Sequence, residues 1–106
     1  MPKYLFHGNF THEGLKGLMK EGGTSRVKAV EKLAKSVGGK LESYYFAFGG
    51  TDYFVVMDLP DNNAAAALAL TVSGSGAVAS QTTVLITPKE MDAAVKIQPN
   101  YRAPGQ

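Results

Sequence analysis

Segments in the order strand, helix, strand, strand, helix, strand, with one short helix after them, predict an α+β domain whose helices cover one face of a four-stranded sheet. Three observations carry the prediction: two stretches of helical spacing, aromatic-rich runs bounded by glycine turns, and a length of 106 residues that suits one domain. This order is the split βαβ, ferredoxin-like βαββαβ sandwich.

Lys3 to Phe10 is rich in aromatic and apolar residues and reads as the first strand. Helical spacing follows, with Leu15, Leu18 and Met19 on one face and Lys16 and Lys20 on the other. Gly22-Gly23 interrupts this helix, and Thr24 and Ser25 are good caps for a restart. The stripe resumes through Val27, Val30, Leu33, Ala34 and Val37, and Gly38-Gly39 stops it. The expected element is therefore one helix over Thr11 to Val37, broken near the double glycine. Lys40 to Phe48 and Tyr53 to Leu59 form a hairpin about Gly49-Gly50-Thr51-Asp52. Pro60-Asp61-Asn62 opens an alanine-rich helix that runs to Val72, and Gly74-Ser75-Gly76 ends it. Val78 to Ile86 supplies the residues of a fourth strand within Ala77 to Thr87, and Pro88-Lys89-Glu90 starts the short last helix. Residues 1–97 are read as one domain and 98–106, with two prolines and a glycine, as a mobile tail.

The chain has no cysteine, which excludes disulfide frameworks, thiolate metal sites and cysteine nucleophiles. Eleven Lys and Arg against nine Asp and Glu leave a formal charge of +2, with the two signs interleaved. That balance points away from nucleic acid and from an anionic membrane as partners. The run Met1 to Phe6 meets His7 and Asn9 too soon to be a signal peptide, and cytoplasmic residence is expected. Ala64 to Val72 is far shorter than the ~20 apolar residues of a bilayer span and reads as a buried helix.

Simple alternation places Leu41, Tyr45 and Ala47 on one face of the second strand and Tyr44, Phe46 and Phe48 on the other. The third strand repeats the theme, with Tyr53, Val55, Met57 and Leu59 opposite Phe54 and Val56. Both sheet faces therefore want cover. The expected solution is sheet against sheet in a homodimer or higher homo-oligomer, closing a barrel-like α/β assembly; the rival is a last helix folded back over the second face.

The run Glu13-Gly14-Leu15-Lys16, the pair Ser25-Arg26, Gly38-Gly39-Lys40-Leu41, the turn Gly49-Gly50-Thr51-Asp52, and Leu59-Pro60-Asp61 together resemble the GYD domain family. The resemblance spans nearly the whole chain. It implies a ferredoxin-like fold related to the dimeric α/β barrels, and a family without an established activity. The Gly-Tyr-Asp signature stands here as Gly50-Thr51-Asp52, with a tyrosine one position later at Tyr53.

Three residues are candidates for a catalytic base. His7 shares a strand face with Leu5, and an imidazole there could serve as a general base. Asp52 sits at the hairpin turn, where aspartate also serves ordinary turn structure. Asp58 stands in an apolar strand and needs a partner if buried. Candidate ligand-binding residues are Arg26, beside the helix restart, the aromatics Tyr45 and Phe48, and Thr51 and Tyr53 at the signature. His7 and His12 do not form a metal-site pattern, and neither metal nor cofactor is expected.

There is no Ser-His-Asp set, no phosphate-binding GxxxxGK loop and no paired-carboxylate motif. The reading from sequence is a small oligomeric module that binds a small apolar or aromatic molecule or a protein partner. The alternative, by analogy of fold, is a cofactor-free oxygenase or isomerase. RNA binding on an aromatic sheet ranks lowest, because the second and third strands carry Lys40, Glu42, Asp52 and Asp58 rather than a basic platform.

Overall fold

The computed structural model describes residues 1–106. Its elements are β1 (Lys3–Phe10), α1 (His12–Glu21), α2 (Gly23–Ser36), β2 (Lys40–Phe46), β3 (Tyr53–Asp58), α3 (Asn62–Gly74), β4 (Val78–Leu85) and α4 (Pro88–Ala94). The four strands pair antiparallel in the order β2-β3-β1-β4. The fold is ferredoxin-like α+β, as the element order predicts, and the sheet is open rather than closed into a barrel.

Alternation along β1 sends Tyr4 and Phe6 to one face, and β3 adds Tyr53, Val55 and Met57 beside them. Val30 and Ala34 of α2, and Ala65 and Leu68 of α3, cover that face. Tyr4 is the most deeply buried aromatic, and its hydroxyl donates to Asn62 Oδ1 at 2.6 Å, so its polar end is satisfied. Helix α1 buries no residue completely, and Met19 is 84% exposed despite its place in the apolar stripe.

The long helix breaks at Gly22, whose φ of 82° lies in the region a Cβ disfavours. Gly22 itself, not Thr24 or Ser25, caps α2, and no side chain assists it. α1 is held against the sheet end at Gly14, where a Cβ would stand 1.9 Å from the Ala77 carbonyl oxygen. Thr11 caps α1 through the Gly14 N–H and also donates to the Gly76 carbonyl.

One expected placement is overturned. The register shifts between Leu41 and Ser43, so Leu41, Tyr44 and Phe46 pair with Met57, Val55 and Tyr53 and share the helix-covered face. A β-bulge inverts the alternation, which moves Leu41 away from Tyr45. Phe48 lies beyond the end of β2, in the connection to β3, and is fully exposed.

The other sheet face carries Leu5, His7, Phe54, Val56, Tyr45 and Thr83, and no helix covers it. Helix α4 does not fold back over it, since every residue of α4 is exposed. No helix is long and apolar enough to cross a membrane.

Candidate functional site

Four aromatic rings meet where the ends of β1, β2 and β3 come together. Phe10 packs at 5.3 Å from Tyr53 and 6.4 Å from Phe46, and Tyr44 lies 4.8 Å from Phe46. The antiparallel pairing of β2 with β3 and the bulge after Leu41 bring Tyr44 and Phe46 to this side. Helix α2 crosses above, and Gly23 at its start makes room for the Phe46 ring, since a Cβ would sit 3.1 Å from it.

Behind these rings is a small cavity of about 30 Å³ between the helices and the sheet. Its walls are apolar, from Phe6, Val30, Val55, Leu68 and Val78 among others, and its polar atoms come from Arg26, Tyr44, Tyr53 and Ser80. Tyr53 is 5% exposed, and its hydroxyl oxygen is buried with no hydrogen-bond partner in the protein. Such a group is unusual, because burying an unpaired hydroxyl costs about 1–3 kcal/mol. Burial pushes the Tyr53 phenol above its ordinary pKa, with Ser80 and Arg26 opposing the shift and Asp52 adding to it. Ser80 is thus a close neighbour, but it does not complete a hydrogen bond to Tyr53. Tyr44 is raised for the same first reason, burial, against the pull of the Arg26 guanidinium beside its hydroxyl. Arg26 forms no ion pair, since the close ion pairs are both made by Lys3.

Two surface grooves run up to this cluster. One, of about 340 Å³, lies between α1 and the β2–β3 connection and is lined by Phe10, Leu15, Leu18, Phe46, Phe48 and Asp52 among others. The second, about 140 Å³, follows α1 past Glu13, Gly17 and Glu21 to Arg26. Phe10 lines the cavity and both grooves, and Arg26 lines the cavity and the narrower groove. The wider groove is mostly apolar, the narrower one carries Glu13 and Glu21 beside Arg26, and the cavity between them holds that cation and two phenol hydroxyls.

The family model described as GYD domain matches residues 4–95. The chain belongs to the GYD domain family. No curated protein and no solved structure matches it. In this GYD domain the residues singled out from sequence fall in separate places. Arg26 and Tyr53 meet in the cavity. Tyr45 points to the open sheet face and is 71% exposed, while Phe48 lines the wider groove from its outer end.

Thr51 and His7 line a third hollow, a polar one at the sheet end, with Asn9, Gly50, Ser73 and Gln81. His7 stacks on Phe54 at 6.4 Å and shares a 3.1 Å hydrogen bond with Thr83 Oγ1. Asp52 accepts from the Phe10 backbone N–H at 3.0 Å, and its own N–H donates to the Gly8 carbonyl at 2.8 Å. It thereby ties the signature turn to β1 and fixes Phe10 at the junction of cavity and grooves. Asp58 has the partner its strand position calls for: Lys3 donates to it at 2.9 Å and also bonds Glu42. Those two carboxylates push the Lys3 ammonium up to about 12. No three His, Asp or Glu side chains converge where they could hold a metal ion.

Phe10 and Ser80 belong to the cluster but were not singled out from sequence. Ser80 had a signal, since it is a polar residue two positions from buried Val78 on the core-facing side of β4.

Proposed function

We propose that this GYD domain binds a small molecule with an apolar or aromatic body and an anionic head, most simply a carboxylate. The body lies against Phe10 and the groove beneath α1, and the head meets Arg26 with the hydroxyls of Tyr44 and Tyr53. The single observation that carries this reading is the Tyr53 hydroxyl, buried without a partner beside an unpaired arginine. A head group that accepts from both supplies the missing hydrogen bond and neutralises the cation. The cavity is too small to hold a whole ligand; its 30 Å³ compares with about 150 Å³ for a cavity that admits benzene. The head therefore enters the cavity, and the body stays in the grooves.

The candidate bases His7, Asp52 and Asp58 lie in three different places, each engaged by other groups, and no observation favours the oxygenase or isomerase alternative over binding. Calorimetric titration with 1-naphthoate and with its neutral methyl ester tests the proposal. The carboxylate is expected to bind more tightly than the ester to the native protein, and Arg26→Gln is expected to abolish the difference. Equal binding of acid and ester to the native protein would contradict an anionic head.

A further inference from the structure

The connection from β2 to β3 has a fixed base and an untethered tip. At the base the Ala47 N–H donates to the Asp52 carbonyl at 2.7 Å, the Asp52 N–H donates to the Gly8 carbonyl at 2.8 Å, and the Asp52 carboxylate accepts from the Phe10 N–H at 3.0 Å. At the tip Phe48, Gly49 and Gly50 make no backbone hydrogen bond. Phe48 is 101% exposed, so its ring gains nothing from the position it holds. The two glycines are equally unexplained by that position. Neither has the positive φ of Gly22 or Gly38, and a Cβ at either would meet nothing within 4 Å. What glycine adds at such places is freedom to leave the observed conformation.

The tip borders the wider groove, with Phe48 at its outer end and Phe10, Leu15, Leu18 and Phe46 as its apolar walls. Its volume of about 340 Å³ is more than twice the roughly 150 Å³ of a cavity that admits benzene, so it has room for a fused aromatic body. Leu15 and Phe46 are 42% and 40% exposed, which leaves the groove uncovered on its outer side. A body seated there keeps one face in water unless something closes over it.

We propose that Phe48 is that cover: the tip swings on Gly49 and Gly50 above its fixed base and lays the Phe48 ring on the outer face of an aromatic body, which makes Phe48 the residue that selects aryl ligands. This rests on the ligand reading above for the place of the body, and not for the charge of the head. Stacked rings are stabilising beyond the area they bury. The base is already ordered, so closure fixes only a few residues.

Calorimetric titration of the full chain with 1-naphthoate and its methyl ester reads the cover and the head separately, because Phe48 touches the body that both probes share. Phe48→Ala is expected to weaken both by the same factor, roughly tenfold, to leave any preference for the acid unchanged, and to keep the native Tm. Gly49→Ala/Gly50→Ala, which the observed backbone admits, is expected to fold as the native protein does and to weaken both probes roughly threefold by stiffening the tip. In isotope-filtered spectra of the native complex, the Phe48 ring is expected to show direct contacts to the naphthoate ring protons. Binding of both probes to Phe48→Ala at native strength, a loss confined to the acid, absence of those ring contacts, or no binding of either probe to the native protein would overturn the proposal. Native binding that favours the acid and ignores Phe48 leaves the anionic head standing and removes the cover. Equal binding of acid and ester, lost together in Phe48→Ala, does the reverse.

Discussion

Replacing Tyr53 with phenylalanine removes one oxygen from a side chain whose ring is packed against Phe10 and whose hydroxyl has no partner in the protein. A buried tyrosine hydroxyl that makes a hydrogen bond is expected to destabilise when deleted, by about 1 kcal/mol. Here the sign reverses. The ring keeps its contacts and the unfolded chain loses a well-solvated hydroxyl, while the native state sheds a desolvated one that costs about 1–3 kcal/mol. With Ser80 close by, the lower end of that range applies, so Tyr53→Phe is expected to stabilise the ligand-free protein by about 1 kcal/mol. For a domain of this size that raises Tm by roughly 4–8 °C, readily seen by differential scanning calorimetry. The same substitution is expected to weaken naphthoate binding by roughly tenfold, the worth of one hydrogen bond to a charged head. A Tm that falls by several degrees would show the hydroxyl already bonded in the free protein, and the argument for an acceptor-rich ligand would lose its basis.

Asp52→Ala removes the acceptor of the Phe10 N–H and is expected to lower stability by about 1–2 kcal/mol, with selective loss of amide protection at Phe10 in hydrogen exchange. Gly14→Ala drives a Cβ into the Ala77 carbonyl and is expected to cost about 3 kcal/mol in denaturant unfolding, whereas Gly17→Ala, with open space around it, is expected to be neutral or stabilising. Burial raises the folded pKa values of Tyr44 and Tyr53 above the ordinary phenol, so the folded state disfavours their ionisation: stability is independent of these groups' titration below about pH 10 and falls as pH rises toward their folded values. Denaturant midpoints measured between pH 9 and 11 are expected to fall with pH, and to fall less steeply in the Tyr53→Phe variant. Glu90 is shifted the other way by the Thr87 backbone N–H and hydroxyl, so the α4 capping box is expected to hold above the ordinary glutamate range and loosen as pH falls through the lowered value, read as fraying of the Thr87–Ala94 amide signals.

Local pattern made most of the fold legible in the sequence. The double glycine, the Gly38-Gly39 stop, the hairpin turn and the Thr87-Pro88 start each act within a few residues, and the structure places breaks at or next to all of them. The facing of β2 was not legible, because a bulge adds one residue against the partner strand, and only pairing with β3 reveals it. That one residue decides the site, since it brings Tyr44 and Phe46 to Phe10 and Tyr53. Arg26 and Tyr53 stood out separately, one at a helix restart and one at a turn, but nothing in their 27-residue separation shows that they share a cavity. The Phe10 ring gains its role from Asp52, through a hydrogen bond between residues 42 apart. The α4 segment was read correctly as a short helix, while its detachment from the sheet is a matter of chain direction that composition does not encode.

The central claim is that the Arg26, Tyr44 and Tyr53 cluster receives the head of a small apolar acid. Titrating isotope-labelled protein with 1-naphthoate, and following backbone and aromatic resonances together, tests it most directly. The account predicts shifts concentrated at Phe10, Arg26, Tyr44, Phe46 and Tyr53, greatly diminished in Arg26→Gln. Shifts confined to Tyr45 and Phe54 on the open sheet face, or none at millimolar naphthoate, would contradict it.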